Sequence, residues 1–135
     1  MSALLRQLML AAPLLFLVGS CTDEQPTQPL PNHPPRILSV SVIPDSIGLA
    51  DSSLVICHAV DPDGDILVYD WITHIPLKLA GAAPEDEYLF GTASNTRALY
   101  YAGPDSIATS VRTQVFTRDS HGLQDGVEFY VFLKN

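Results

Sequence analysis

The sequence has few cysteines and few basic residues, and both shortages exclude classes of function. Two cysteines stand among 135 residues, and no C-x-x-C or H-E-x-x-H pattern occurs, so a zinc site has no support. No phosphate-binding glycine loop or dinucleotide fingerprint is present either. Seven Lys and Arg against 15 Asp and Glu give a net charge of −8, which excludes the basic surface needed to bind nucleic acid.

Long hydrophobic runs are also scarce, and the clearest one lies at the N-terminus. It extends from Leu8 to Val18, follows Arg6 and ends in small residues. A membrane-spanning helix needs about 20 apolar residues, so this run is short for a span. The pattern predicts a secretory signal peptide over residues 1–20.

The signal ends in "VGSC", which resembles the lipobox of bacterial lipoproteins. In that family small residues precede a cysteine that accepts lipid, so the resemblance implies that Cys21 becomes a lipidated N-terminus. Two or three acyl chains hold a protein on a membrane almost permanently. Thr22, rather than Asp, follows Cys21 and favours the outer membrane of the bacterial envelope over the inner one. The alternatives are a cleaved secreted protein, in which Cys21 is incidental, and an uncleaved helix.

A proline-rich segment follows this cysteine. Five of the 14 residues from Thr22 to Pro35 are proline, and no periodic pattern occurs. We therefore interpret residues 21–35 as the lipidated Cys and an extended tether, in which His33 is solvated. The second cysteine, Cys57, lies within the apolar run "SLVICHAV". That place favours a small buried side chain over a reactive thiol.

Residues 36–135 show alternating apolar and polar positions separated by turn residues, and no amphipathic helical pattern of useful length. About seven short strands in a hundred residues are typical of an immunoglobulin-like sandwich. The predicted strands are Ile37–Ile43, Ser53–Val60, Ile66–Thr73, Glu87–Gly91, Arg97–Ala102, Ser110–Arg118 and Val127–Lys134.

Three passages, "CHAVDPDGDILVYDWIT", "YYAGPDS" and "VRTQVFTRDSHG", resemble the PKD-type and cadherin-like immunoglobulin domains of bacterial surface proteins. The resemblance covers residues 36–135 and implies an all-β, immunoglobulin-like antiparallel β-sandwich. It places Trp71 over Cys57 in the core. The long, proline-containing segment 74–86 departs from the family pattern. The side chains that the resemblance turns inward are Val55, Cys57, Ala59, Leu67, Tyr69, Trp71, Val111, Thr113, Val115, Thr117, Phe129, Val131 and Leu133.

The motif "DPDGD" has two interpretations. Pro62 and Gly64 suit a tight turn that Asp61 caps with its own side chain. As an EF-hand the spacing fails, because Ile72 stands where the loop needs a final glutamate. In a sandwich of this topology, however, two loops meet at one end, and their carboxylates would repel one another unless solvated, protonated or bridged by calcium. The candidate calcium ligands are Asp61, Asp63, Asp65, Asp119 and Asp125.

The opposite parity of three strands predicts an apolar outer face with charged flanks, which is typical of an interface. Its residues are Val68, Ile72, Phe116, Tyr130 and Phe132. Two alternatives are that segment 74–86 covers this face or that the strand parity is reversed. The topology also places the tether at the aspartate-rich end, so recognition is expected on a sheet face rather than on the loops.

Catalysis has little support in the sequence. Asp119, Ser120 and His121 are adjacent, and adjacent side chains in a turn diverge rather than converge on a substrate. Asp70, His74 and His58 need no role beyond surface contacts. The sequence predicts a non-enzymatic binding or adhesion module, anchored in the cell envelope, with a protein or carbohydrate partner. The competing hypotheses are a structural or accessory subunit of an envelope complex and, less favoured, a small hydrolase.

Overall fold

Alternation of apolar and polar residues determines the architecture. In the strand Ser110–Arg118 the side chains at every second position from Val111 to Thr117 are buried, and those between are exposed or half-buried. The computed structural model describes residues 28–83, 86–103 and 109–134. Signal peptide 1–20, the lipidation site Cys21 and residues 22–27 of the tether lie outside these residues.

The described residues form nine strands and no helix. Accordingly, no described segment is a helix that could cross a membrane. The strands are β1 (Arg36–Ile43), β2 (Ser46–Ile47), β3 (Ser52–Val60), β4 (Val68–Ile72), β5 (Leu77–Leu79), β6 (Tyr88–Thr92), β7 (Thr96–Tyr101), β8 (Ser110–Arg118) and β9 (Gln124–Leu133).

The strands form two sheets that enclose one core. A four-stranded sheet has the order β1-β3-β7-β5, and a five-stranded sheet has the order β2-β9-β8-β4-β6. Neighbouring strands are antiparallel except β2, which runs parallel to β9. The predicted all-β, immunoglobulin-like sandwich is therefore confirmed.

All seven predicted strands are present, and β8 has the predicted ends while the other six are shifted. The strand predicted at Ile66–Thr73 is shorter, because β4 begins at Val68 and Ile66 lies 82% exposed in the preceding loop. The strand predicted at Val127–Lys134 begins earlier, since β9 pairs with β8 from Gln124 onwards.

Two strands were not predicted. β2 has two residues and pairs with the end of β9. β5 lies inside the segment 74–86, where Leu77 and Leu79 are buried in the core. β5 pairs with β7 in the four-stranded sheet, so this strand does not cover the outer face of the five-stranded sheet.

The inward-facing residues match the predicted parity. Trp71 and Cys57 are both fully buried in the same core cluster. Of the predicted set, Ala59, Leu67 and Phe129 are only partly buried and pack against that cluster. Tyr69 and Trp71 lie with ring centroids 6.4 Å apart, and the Trp71 indole N–H donates to Thr92 Oγ1 at 3.2 Å. The core thus rests on side-chain packing around an indole and an unpaired thiol.

Candidate functional site

The "DPDGD" motif forms a self-capped turn between β3 and β4. Asp61 Oδ1 accepts the backbone N–H of Asp63 at 2.8 Å and that of Asp65 at 3.1 Å. Gly64 has a φ of 81°, which glycine adopts without steric cost. The motif therefore forms a tight turn that Asp61 caps, which is the first of the two interpretations of its sequence.

Asp119 organises the loop between β8 and β9 in the same way. Its Oδ1 accepts the backbone N–H groups of His121 and Leu123, each at 2.8 Å, and its Oδ2 accepts the Asn32 side-chain amide at 2.7 Å. Burial acts to raise the pKa of Asp119, but these three hydrogen bonds bring the pKa below its ordinary value of 3.8. The carboxylate is therefore held ionised by donors from two segments of the chain.

The N-terminal segment of the domain docks on this acidic end. His33 donates its backbone N–H to Asp63 Oδ2 at 2.6 Å, and its ring Nδ1 lies 3.1 Å from Asp63 Oδ1. These bonds lower the pKa of Asp63. Asp125 Oδ2 accepts the backbone N–H of Ile37 at 2.8 Å. The expectation that His33 is merely solvated was wrong, because its own backbone and ring both engage a carboxylate.

The five candidate calcium ligands do not converge on one point. Asp65, Asp119 and His121 place one ligand atom each within 4.8 Å of one another. Calcium needs six to eight oxygen ligands, whereas a ring nitrogen is one of these three, and Asp61, Asp119 and Asp125 already accept backbone N–H groups. One observation favours a cation, namely that Asp61 Oδ2 is buried without a hydrogen-bond donor. On balance the described donor set fits turn formation better than calcium.

The histidines and serines at this end do not form a catalytic arrangement. His121 Nδ1 lies 3.3 Å from Ser120 Oγ and 3.1 Å from Asp65 Oδ2. A catalytic triad needs the carboxylate and the nucleophile on opposite ring nitrogens, and here one nitrogen meets both.

The other polar candidates, Asp70, His74 and His58, are also separated from one another. Asp70 pairs with Arg118 at 3.3 Å, and His74 pairs with Glu87 at 3.0 Å. This contact with His74 lowers the pKa of Glu87. His58 is exposed on β3. Asp70 and His74 therefore contact different partners and do not meet each other.

The outer face of the five-stranded sheet carries the predicted apolar residues. Tyr130 and Phe132 on β9 are 49% and 51% exposed, while Val68, Ile72 and Phe116 are half-buried. Register confirms the shared face, since Arg112 pairs with Tyr130 and Asp70 with Phe116 while Tyr69 and Trp71 point inward. The predicted parity is correct.

Strand β6 adds two aromatic side chains that the sequence did not assign to this face. Tyr88 pairs with Ile72 across β4 and β6, and Tyr88 and Phe90 are 48% and 57% exposed. Their rings stack with centroids 4.9 Å apart. A signal was present, because Tyr88 and Phe90 alternate with the core-packed Leu89, but the sequence did not show which sheet β6 joins. We call the set Val68, Ile72, Tyr88, Phe90, Phe116, Tyr130 and Phe132 the aromatic face.

Charges within the aromatic face are paired with one another. Arg112 lies 3.6 Å from Glu128, which also accepts the Tyr130 hydroxyl at 2.9 Å, and this hydrogen bond raises the pKa of Tyr130. Asp70 is buried between Arg118 and the backbone N–H of Gly91. These pairs fix the orientation of the side chains around the exposed rings.

The ring of Phe116 lies against a glycine on the neighbouring strand. Phe116 pairs with Gly126, and a Cβ built at Gly126 would collide with the Phe116 ring. The ring therefore covers the β9 backbone at this point. This contact explains why Phe116 is less exposed than Tyr130 and Phe132.

Comparison with known proteins adds a fold-level match. No protein-family model and no curated protein matches the chain. A solved structure that is similar is a nucleoside hydrolase-related hypothetical protein from Saccharophagus degradans that is associated with carbohydrate metabolism, with a TM-score of 0.55 and 14% identity. The match covers 76% of this chain and 26% of that one. At this identity the similarity shows the fold alone.

Proposed function

We propose that this protein is a bacterial envelope lipoprotein whose immunoglobulin-like domain is a non-catalytic binding module. The observation that carries the proposal is the aromatic face, where four aromatic rings stand about half exposed. Surfaces of this composition, with charged residues at their margins, are typical of protein interfaces. The partner is a protein or a carbohydrate of the envelope.

The lipid anchor is supported by the sequence around Cys21. The lipobox-like "VGSC" and the proline-rich tether after it would hold the domain at a distance from the membrane surface. Mass spectrometry of the mature N-terminus tests this step. The expected peptide begins at Cys21 and carries diacylglyceryl and acyl groups, and a mature chain with an unmodified Cys21 would contradict the anchor.

Non-catalytic function is supported by the acidic end. The carboxylates there accept backbone N–H groups, and His121 meets Ser120 and Asp65 through a single ring nitrogen. Such groups hold loops in place and lack the orientation that general-base catalysis needs. Recognition is accordingly assigned to a sheet face.

A charge substitution within the aromatic face tests the binding proposal. Affinity capture from detergent-solubilised membranes compares the full chain with Phe132→Asp, and Ile66→Asp is the matched control because Ile66 is an exposed apolar residue in a loop. Phe132→Asp should lose the captured partner while Ile66→Asp keeps it, and circular dichroism should show both variants folded. Loss with Ile66→Asp alone would assign binding to the loops and contradict the proposal.

Permanent assembly into an envelope complex is the competing function, and the same aromatic face would serve it. The two are separated by the lifetime of the captured complex. A transient binder releases its partner during extended washing, whereas a subunit of an obligate complex remains in fixed stoichiometry. We favour the transient binder because the exposed rings are interspersed with paired charges, and obligate interfaces are more uniformly apolar.

A further inference from the structure

The outer face of the four-stranded sheet is a second exposed apolar surface. Its central row joins Ile43 on β1, Leu54 on β3 and Ala98 on β7. Ile43 and Leu54 are 60% and 42% exposed, so apolar side chains on this side of the sandwich meet solvent. We use the name four-strand face for the apolar outer residues Ile43, Leu54, Ile56, Val60, Ala98 and Tyr100.

The charged side chains on the outer side of this sheet are all basic among the described residues. Arg36 lies at one corner, on the edge strand β1, and Lys78 lies at the diagonally opposite corner, on the edge strand β5. The polar positions between them are serines, a threonine and His58. By contrast, the chain as a whole has a net charge of −8, and the aromatic face contains Asp70 and Glu128. The four-strand face is thus a local exception on an acidic molecule.

The proposed lipid anchor brings this face within reach of a membrane. Cys21 lies about 11 residues before Asn32, which bonds to Asp119, so the chain between them spans at most about 40 Å. The strand that continues this segment, β1, belongs to the four-stranded sheet. A short tether keeps the domain at a high effective concentration near the lipid. A contact too weak to hold two free molecules together can therefore persist here.

We propose that the four-strand face rests on the anionic headgroups of the membrane in which the chain is anchored. This inference depends on the proposed function, because the anchor supplies the membrane. Arg36 and Lys78 would lie over lipid phosphates, which attract basic side chains close to the surface. The aliphatic side chains and Tyr100 would contact the boundary between headgroups and acyl chains, where tyrosine is common.

The resulting orientation agrees with the role of the aromatic face. The two sheets enclose one core, so their outer faces point in opposite directions. A domain that lies on its four-strand face turns the aromatic face away from the lipid, where the exposed rings of Tyr130 and Phe132 are open to a partner. The reverse orientation would bring Asp70 and Glu128 against lipid phosphates, which repel carboxylates.

Two basic residues make this contact weak and dependent on salt. Each Lys or Arg near an anionic surface strengthens binding roughly fivefold, so Arg36 and Lys78 together contribute roughly 25-fold. Screening by salt reduces this attraction. A contact made by the apolar side chains alone would depend on neither the lipid charge nor the salt concentration.

Fluorescence of the full lipidated chain, reconstituted into vesicles, tests the contact. A polarity-sensitive fluorophore on Leu54→Cys reports whether the four-strand face meets lipid, and a nitroxide on the lipid headgroups quenches the fluorophore only at close range. Vesicles of phosphatidylglycerol and phosphatidylethanolamine are compared with vesicles of phosphatidylcholine alone. If Leu54→Cys fails to fold, Ser52→Cys replaces it, because Ser52 is exposed on the same side of β3.

Three controls accompany this variant. Phe132→Cys places the fluorophore on the aromatic face, and Ile66→Cys places it in an exposed loop. The unsubstituted chain measures any labelling of the buried Cys57. Circular dichroism establishes that each labelled variant is folded.

The expected result is a blue-shifted and quenched fluorophore at Leu54→Cys or Ser52→Cys in the anionic vesicles alone, with the controls unchanged. Combining Arg36→Glu with Lys78→Glu should lower the ratio of docked to free domain by at least ~25-fold, and added salt should lower this ratio as well. Equal quenching at Phe132→Cys or Ile66→Cys, equal quenching in phosphatidylcholine, or quenching that survives the charge reversal would each overturn the proposal.

The outcomes also show which proposal has failed. A chain that is anchored in the vesicles while its Leu54→Cys fluorophore stays in water overturns this inference alone. A chain that is absent from the vesicles overturns the anchor together with this inference. Protection of Leu54→Cys in native membranes but not in pure lipid would assign the face to a protein or a polymer, which also overturns it. Phe132→Asp should leave the docking unchanged, so partner binding fails or holds independently.

Discussion

Trp71 lies fully buried in the core, and its indole N–H donates to Thr92 Oγ1. Tyr69 and Cys57 are buried in the same core cluster. In antibody domains a disulfide occupies the position beside the core tryptophan. Here packing alone supplies the stability at that place.

Truncation of this tryptophan should therefore be severe. Trp71→Ala removes a large buried ring and leaves a cavity, which costs about 3–5 kcal/mol of unfolding free energy. Urea denaturation monitored by circular dichroism measures the cost. Tyr88→Ala is the control, since Tyr88 is half exposed, and should cost less than about 1 kcal/mol. Equal losses in the two variants would contradict the assignment of Trp71 to the core.

The thiol of Cys57 gives the molecule a predictable response to alkaline pH. Burial, and secondarily the charge of Asp125, raises the pKa of Cys57 to about 11 from an ordinary value of 9.0. The unfolded chain therefore releases this proton first, and stability is lost as pH rises from about 9 towards 11. The shift corresponds to about 3 kcal/mol at most.

The measurement is the urea midpoint at pH 8 and at pH 10.5 for the native chain and for Cys57→Ala. Both chains contain the same tyrosines and lysines, so the difference between their pH responses isolates the thiol. The native chain should lose more stability than Cys57→Ala over this interval. An identical loss in both chains would show that Cys57 ionises as freely in the folded state as in the unfolded one.

At the scale of elements, the loops after β3 and β8 share one design. In each loop an aspartate at the strand end, Asp61 or Asp119, accepts two backbone N–H groups from residues further along the turn. Asp119 and Asp63 also hold the N-terminal segment through Asn32 and His33. The acidic end thus joins three segments of the chain.

This use of the carboxylates predicts how the protein responds to calcium. A cation would compete with backbone donors for Asp61, Asp119 and Asp125, so millimolar calcium should leave the melting temperature unchanged. Differential scanning calorimetry with calcium and with EDTA measures this, with Asp65→Asn as the matched variant. A rise of several degrees that Asp65→Asn abolishes would establish a calcium site instead.

The sequence predicted the long elements and missed the short ones for a physical reason. β8 buries every second residue, so its alternation is visible in "SVRTQVFTR". β2 and β5 have two and three residues, which is too few for a period to show. Their positions depend on pairing with β9 and β7, and such pairing is a property of the folded chain.

The same distinction applies to the candidate surfaces. Strand parity placed Phe116, Tyr130 and Phe132 on one face, because parity is local. Tyr88 and Phe90 joined that face only through the pairing of β6 with β4. The outer face of the four-stranded sheet likewise combines Ile43, Leu54 and Ala98 from three different strands.

At the scale of the whole molecule, the outer face of one sheet and the loops at one end have different roles. The aromatic face carries exposed rings and paired charges and is assigned to a partner. The acidic end is occupied by the N-terminal segment of the domain, through Asn32 and His33.

Hydroxyl-radical footprinting of the full chain in native membranes, compared with the purified chain, tests this division most directly. Oxidation of Phe90, Tyr130 and Phe132 should be several-fold lower in membranes, where the partner is present, and oxidation of the loop residues Ile66 and Leu123 should be the same in both samples. Protection of Ile66 and Leu123, with the three aromatic residues oxidised equally in both samples, would contradict the account.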